Sequence, residues 1–223
     1  MDIMDTAEGI VRRAEQTENG FRDLQLAADE IVSSQTPDAA KGVALTLLRS
    51  KVHQARCVAT FILGHLAASD PDALRILKTE VSKDDNWRVQ EILAKAFDQF
   101  CLDTGYEAAL AVIREWLSSA SPNVRRAVTE GLRIWTSRPY FRDHPAIAID
   151  LLASLRGDES EYVRKSVGNA LRDISKKHPE LVRQEAMGWD LTQRGTAQVH
   201  KLATRFISAS VPVDPASPKT DYG

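Results

Sequence analysis

The sequence is poor in features that mark several common protein classes. It has two cysteines, Cys57 and Cys101, and both lie within apolar helical patterns, so buried free thiols are expected rather than a disulfide framework. No stretch approaches the roughly 20 consecutive apolar residues of a membrane span. The acidic N-terminus, MDIMDTAEG, has no apolar run of the kind that a secretion signal contains. The protein is therefore expected in the cytoplasm.

Signals for β-strands and for several familiar catalytic sites are also missing. Alternating β-branched runs and hairpin turn signals are few, which predicts an all-α protein. The histidines are isolated, and no histidine or cysteine pair has the spacing of a metal site. The sequence contains neither a glycine-rich phosphate loop nor a nucleophile elbow. No metal or cofactor is expected, and any functional site must be built from the faces of helices.

A helical pattern that repeats along the chain is present instead. Residues 160–178 place apolar side chains at the three-and-four spacing of a helix with one buried face. Aligning Val163 with Val124, Val89 and, more weakly, Val58 gives separations of 39, 35 and 31 residues, with room for a second helix between copies. Helix pairs at this period are typical of HEAT-like arrays, in which each repeat buries its apolar face on its neighbours.

The predicted fold is therefore an all-α superhelix of HEAT-like repeats that forms a single domain over residues 1–207. Its first helices are predicted at 3–18 and 21–34, and its last at 194–207. The segment 208–223 contains three prolines and almost no core-forming residues, so a disordered C-terminal tail is expected there.

Charge is distributed unevenly between the two halves of the array. Residues 1–119 contain 13 Lys and Arg against 19 Asp and Glu, whereas residues 120–207 contain 15 against 10. The later repeats are therefore basic, although the whole chain has a formal net charge of −2. A basic region of this kind attracts polyanions such as nucleic acid. Ordinary solvated helix faces give the same counts, so charge alone leaves both interpretations open.

Charged and polar residues occupy equivalent positions in three aligned repeats. These columns are Glu91 with Arg126 and Lys165; Lys95 with Glu130 and Asn169; and Asp98 with Arg133 and Arg172, with Asp173 beside the last. Equivalent positions in stacked repeats lie side by side, so the columns predict a concave groove of carboxylates surrounded by cations. The same i,i+4 pairs also occur on exposed helices that have no function beyond stability.

Three segments carry a resemblance to a known family. NWRVQE, VRRAVTEGLRIW and SEYVRKSVGNALRDISKKHPELV resemble the HEAT-like-repeat DNA alkylation repair family, the alkylpurine DNA glycosylases, over about residues 84–189. The resemblance implies hydrolysis of the N-glycosidic bond of N3- or N7-alkylated purines in duplex DNA. The chain is expected to act as a monomer without a cofactor. An alkylated purine of this kind is already cationic, and carboxylates stabilise the oxocarbenium-like sugar as the base leaves.

The resemblance and the charged columns together suggest roles for individual residues. Those expected to act in catalysis are Glu91, Glu130, Trp87 and Asp173. Those expected to bind DNA are Arg172, Arg126, Arg133, Lys165, Trp135, Asn169 and Lys176. Two alternatives use the same groove: a DNA-binding protein without catalysis, and a HEAT-like adaptor that binds a protein partner.

Overall fold

The computed structural model describes residues 3–14 and 20–207, and all regular secondary structure in these ranges is helical. The predicted tail at 208–223 lies outside the described residues. The α-helices are α1 (Ile3–Ala14), α2 (Arg22–Ser34), α3 (Pro37–Leu47), α4 (His53–Leu66), α5 (Pro71–Thr79), α6 (Trp87–Thr104), α7 (Leu110–Leu117), α8 (Pro122–Gly131), α9 (Pro139–Asp143), α10 (Pro145–Ala153), α11 (Glu161–Ser175), α12 (Pro179–Met187) and α13 (Arg194–Ala203). Two short 3₁₀ helices span Val81–Lys83 and Trp135–Ser137.

The starts of many helices follow directly from local sequence. Six of them, α3, α5, α8, α9, α10 and α12, carry proline in the first turn, where its missing N–H costs no hydrogen bond. The side chains of Asp70 and Asn86 accept hydrogen bonds of 2.9 Å from the first-turn N–H groups of α5 and α6. Gly105, with φ at 88°, ends α6 in a conformation that favours glycine.

The helices form two layers. The inner layer is the series α2, α4, α6, α8, α11 and α13, in which each helix packs on the next. Outer helices α3, α5, α7, α10 and α12 pack against this series. The aligned residues Val89, Val124 and Val163 are all buried between the layers, so the predicted all-α repeat fold is confirmed.

Two glycines allow the inner helices to approach closely. A Cβ atom on Gly64 would lie 2.8 Å from Cα of Ala96, and one on Gly131 would lie 2.2 Å from the carbonyl oxygen of Ala94. Neither position has space for a side chain without moving backbone. The backbones of α4, α6 and α8 are therefore in direct contact.

A recurring hydrogen-bond pattern marks equivalent positions in the repeats. Arg56, Arg125 and Arg164 each donate to two backbone carbonyls five and six residues earlier, and Gln90 donates to the carbonyl of Asp84, six residues earlier. This pattern equates Ala55, one residue before Arg56, with Val89, Val124 and Val163. The alignment predicted through Val58 is therefore wrong by three residues.

Candidate functional site

A cleft of about 390 Å³ lies on the inner layer, between α2, α4, α6 and α8. On α6 its lining residues Glu91, Lys95, Asp98 and Leu102 follow one another at spacings of four, three and four, so they share one face of the helix. Glu130 and Arg133 contribute from α8 and the residues that follow it. The cleft therefore gathers carboxylates and cations from two stacked repeats.

Glu91 is bound to the next repeat through Arg126. Arg126 donates a hydrogen bond from Nη2 to Oε1 of Glu91, and its guanidinium carbon lies 4.2 Å from the ring centroid of Tyr162 on α11. The Arg126 side chain is only 7% exposed, whereas that of Glu91 is 30% exposed. A buried cation is thus held between a carboxylate of one repeat and an aromatic ring of another.

Glu130 is held on both oxygens. Ser166 on α11 donates a hydrogen bond of 2.8 Å to Oε2, and Arg133 donates one of 2.9 Å to Oε1. Arg133 also donates from Nε to Asp173, at 3.1 Å. One arginine therefore joins the cleft carboxylate of α8 to a carboxylate of α11.

Asp173 is surrounded by three cations. In addition to Arg133, Lys176 lies 3.0 Å and Arg172 lies 3.7 Å from its oxygens. Burial alone would raise the pKa of Asp173, but the hydrogen bonds from Lys176 and Arg133 and their positive charges outweigh burial and lower the pKa. Arg172 has a buried Nε without a hydrogen-bond partner, so its guanidinium is not saturated by protein groups.

Comparison with known proteins identifies the family. A family model described as DNA alkylation repair enzyme matches residues 22–184, well over half of the chain. This chain belongs to the DNA alkylation repair enzyme family.

Two solved structures are similar to nearly the whole chain, and one curated relative is similar to part of it. The crystal structure of AlkD2 from Streptococcus mutans is similar with a TM-score of 0.91 and 47% identity, covering 93% of this chain and 100% of that one. The structure of smu.31 from Streptococcus mutans UA159 has a TM-score of 0.87 and 46% identity, covering 91% and 100%. The uncharacterized protein YhaZ of Bacillus subtilis strain 168 is 40% identical over 105 residues, 45% of this chain and 29% of that longer protein.

In this member of the repair family, several residues predicted from the sequence lie together. Glu91, Glu130 and Arg133 line the cleft, and Asp173, Arg172 and Lys176 join them through Arg133. Arg126 is buried and is paired with the cleft residue Glu91. The contacts run from α6 through α8 to α11 in two branches, one through Glu91 and Arg126 to Tyr162 and one through Glu130, Arg133 and Asp173, and we call them together the cleft network.

The remaining predicted residues lie apart from that network. Trp87 is not among the lining residues; it lies at the first residue of α6, 55% exposed, with the Arg88 guanidinium 4.5 Å from its ring centroid. Lys165 is exposed and pairs with Glu161 of its own helix at 2.9 Å. Asn169 is half-buried and forms no side-chain hydrogen bond with a described residue.

The predicted role of Trp135 as an aromatic that faces DNA is wrong. Its side chain is fully buried, with 0% exposure. Its Nε1 donates to the carbonyl of Thr129 at 3.4 Å, and its ring centroid lies 4.9 Å from that of Phe141. Trp135 therefore belongs to the core beneath the repeats.

Two residues of the network were not predicted from the sequence, Tyr162 and Ser166. Both lie on α11, on the side that contacts α8. Tyr162, Ser166 and Asp173 recur at spacings of four and seven, which places them on one helical face. That spacing is the sequence signal for this face, although Arg164, Lys165 and Arg172 lie between the three residues in SEYVRKSVGNALRD.

The described residues contain no group of three or more His, Cys, Asp or Glu side chains arranged to hold a metal ion. Among the helices within 3–14 and 20–207, none combines the length and apolarity needed to cross a membrane.

Proposed function

We propose that this repair-family member hydrolyses the N-glycosidic bond of N3- or N7-alkylated purines in duplex DNA, within the cleft. The observation that supports this most directly is that Glu91 and Glu130, from two stacked helices, line the same cleft. An alkylated base of this kind is cationic and leaves without strong acid catalysis, while positive charge develops on the sugar. Fixed carboxylates aimed at that charge stabilise the transition state.

The contacts of the two carboxylates suggest different roles. Glu130 has a partner on each oxygen, Ser166 and Arg133, so its orientation is fixed and it suits electrostatic stabilisation of the sugar. Glu91 is bound on Oε1 by Arg126, and its Oε2 has no hydrogen-bond partner among the described residues. We assign Glu91 to orienting the attacking water and accepting its proton.

We assign the cations beside the cleft to binding the phosphates of the DNA backbone. Arg133, Arg172 and Lys176 all approach Asp173, and only Arg133 also pairs with a second carboxylate, Glu130, so three cations face two carboxylates and the cluster has an excess of positive charge. The Arg172 side chain is 19% exposed and approaches Asp173 only at 3.7 Å, which supports its assignment as the residue that grips a phosphate beside the lesion. Each phosphate contact releases counterions, so binding should weaken steeply as salt rises.

The activity is tested with a duplex that carries N7-methylated guanine. We expect release of the free base and an abasic site, with the rate reduced by about 10²–10³ in Glu130→Gln because a preorganised charge is removed. Glu161→Gln is the matched control, since Glu161 is exposed on α11 outside the cleft. Absence of base release above background in the wild-type protein overturns the enzymatic proposal.

Two observations favour a second candidate, recognition of DNA without base excision. Trp135 is buried, and the arginines that contact Glu91 and Glu130 already balance their charge. Binding without excision predicts salt-dependent affinity for duplex DNA that Arg172→Ala weakens and that Arg114→Ala, on outer helix α7, leaves unchanged. If the protein does not bind DNA even at low salt, both candidates fail and the adaptor alternative remains.

A further inference from the structure

Lys95 lines the cleft, and it differs from the arginines there in having no carboxylate partner among the described residues. It lies on α6, one turn after Glu91 and across the cleft from α8. Arg133 is bound to Glu130 and Asp173, and Arg138 is bound to both oxygens of Asp98 at 3.0 and 2.5 Å. Lys95 is exposed and forms no ion pair or side-chain hydrogen bond with any residue that the structure describes.

Two other lysines near the cleft network, Lys165 and Lys176, are held by carboxylates. Lys165 lies 2.9 Å from Glu161, and Lys176 lies 3.0 Å from Asp173. An ammonium group in an ion pair must break that pair before its nitrogen can react. Lys95 has no such constraint, and its neighbours in the cleft are carboxylates that are able to exchange protons with a reacting group.

We propose that Lys95 reacts with the aldehyde of an abasic site and gives the protein a second activity, cleavage of the DNA strand at that site. This inference rests on the proposed function, because hydrolysis of the glycosidic bond in the cleft leaves an abasic sugar beside Lys95. The substrate class is therefore duplex DNA with an abasic sugar in its open-chain aldehyde form. Lysine amines form imines with carbonyl carbons once they lose a proton.

The first step joins Lys95 to the sugar. The deprotonated Nζ attacks carbon C1′ and forms a carbinolamine; the C1′–O bond then breaks, the oxygen leaves as water, and a C=N bond forms. In this scheme a cleft carboxylate, Glu91 or Glu130, carries the protons that the nitrogen releases and the departing oxygen takes up.

The second step cleaves the strand without an oxidant or a reductant. A carboxylate removes a proton from C2′, the electron pair forms a C2′=C3′ bond, and the C3′–O bond breaks with the phosphate as leaving group. Water then hydrolyses the imine and regenerates the free amine of Lys95.

The experiment uses the full chain and a duplex with a preformed abasic site, made by enzymatic removal of uracil, in the presence of sodium borohydride. Borohydride reduces the imine to a stable amine, so a covalent protein–DNA band is expected, with Lys95 as the modified residue by peptide mass spectrometry. Lys95→Arg keeps the positive charge but has no primary amine, and we expect it to lower the yield of this band by about tenfold or more.

The controls separate a specific amine from general lysine reactivity. Lys83→Arg removes an exposed amine outside the cleft, at the end of the 3₁₀ helix Val81–Lys83, and should leave the yield within about twofold of wild type. A duplex with a reduced abasic analogue, which has no aldehyde, should give no band. Equal band yields for Lys95→Arg and wild type, with equal DNA binding by fluorescence anisotropy, overturn the proposal.

The design also separates this proposal from the glycosylase proposal. Because the abasic site is supplied, the band does not depend on excision of an alkylated base. A Lys95-dependent band without base release from methylated DNA supports the lysine site and refutes the glycosylase proposal. Base release by a wild-type protein that forms no band refutes the lysine site alone.

Discussion

Removing the carboxylate of Glu91 should destabilise the fold more than removing its partner Arg126. The Arg126 side chain is 7% exposed, and its described partners are Glu91 and the ring of Tyr162. In Glu91→Gln the guanidinium stays buried without a counter-charge, and breaking a buried pair in this way costs about 3–5 kcal/mol. The glutamine oxygen still accepts a hydrogen bond from Arg126, so we expect a smaller loss, about 2–3 kcal/mol.

Replacing Arg126 instead leaves the negative charge of Glu91, which water can reach. Arg126→Met keeps most of the aliphatic stem, and the carboxylate of Glu91, 30% exposed, remains solvated. We expect it to lose about 1 kcal/mol of unfolding free energy. The double variant Glu91→Gln/Arg126→Met contains no buried charge, so its loss should be smaller than the sum of the two single losses by about 1–2 kcal/mol.

The measurement is urea unfolding followed by circular dichroism for the four proteins of this cycle. In a chain of this size each kcal/mol shifts the melting temperature by about 2–4 °C, so Glu91→Gln should melt about 5–10 °C below wild type. Glu161→Gln is the control, because both partners of its ion pair with Lys165 are more than half exposed, and its loss should stay within about 0.5 kcal/mol. Equal losses for Glu91→Gln and Arg126→Met, or losses that add in the double variant, would refute the reasoning.

Three further outcomes follow from other buried groups. Arg125→Met should cost about 3–4 kcal/mol in urea unfolding, because it leaves Asp158, 4% exposed, without the guanidinium that binds both of its oxygens at 2.7 and 2.8 Å. Asp173→Asn should be less stable than wild type at pH 7. The lowered folded-state pKa of Asp173 stabilises the fold above the unfolded pKa, about 4, and this contribution disappears as the pH falls through the lower folded value. Burial raises the pKa of Cys57 to about 12 and also raises that of Cys101, so neither thiol should react with Ellman's reagent in the native protein, and both should react in urea.

Each of these outcomes has a contrary result. For Arg125, the contrary result is a loss no larger than that of Lys165→Met, a substitution at an exposed position. For Asp173, it is a stability difference from Asp173→Asn that stays constant from pH 7 down to about pH 2. For the cysteines, it is rapid modification of either thiol without urea.

The repeat fold was predictable because the spacing of apolar residues along a helix predicts which face is buried. That spacing aligns Val89, Val124 and Val163, and all three are buried at equivalent places. The first copy was misaligned because α4 is apolar on most of its surface, so its spacing fits more than one register. The hydrogen bonds of Arg56 decide the register there, and a sequence pattern does not contain them.

The burial of Trp135 was not predictable from the same spacing. The pattern of VRRAVTEGLRIW continues as a helix past Glu130, which would carry Trp135 along the groove. In the structure α8 ends at Gly131, and a 3₁₀ helix, Trp135–Ser137, leads to the short helix α9 that carries Phe141. Contact between Gly131 and the backbone of α6 fixes where α8 lies, and that contact is tertiary.

Lys165 and Arg126 show how local partners decide the direction of a charged side chain. Both directly follow the arginine that binds the preceding loop, so they occupy one alignment column. Glu161 lies four residues before Lys165 on α11 and forms an ion pair with it. Pro122 lies four residues before Arg126 and has no charge that could pair with it. Glu130 lies four residues after Arg126, but Arg133 and Ser166 already bind it. Arg126 therefore reaches across to Glu91. Column alignment thus identifies equivalent positions, while competition among nearby charges decides which of them join the cleft network.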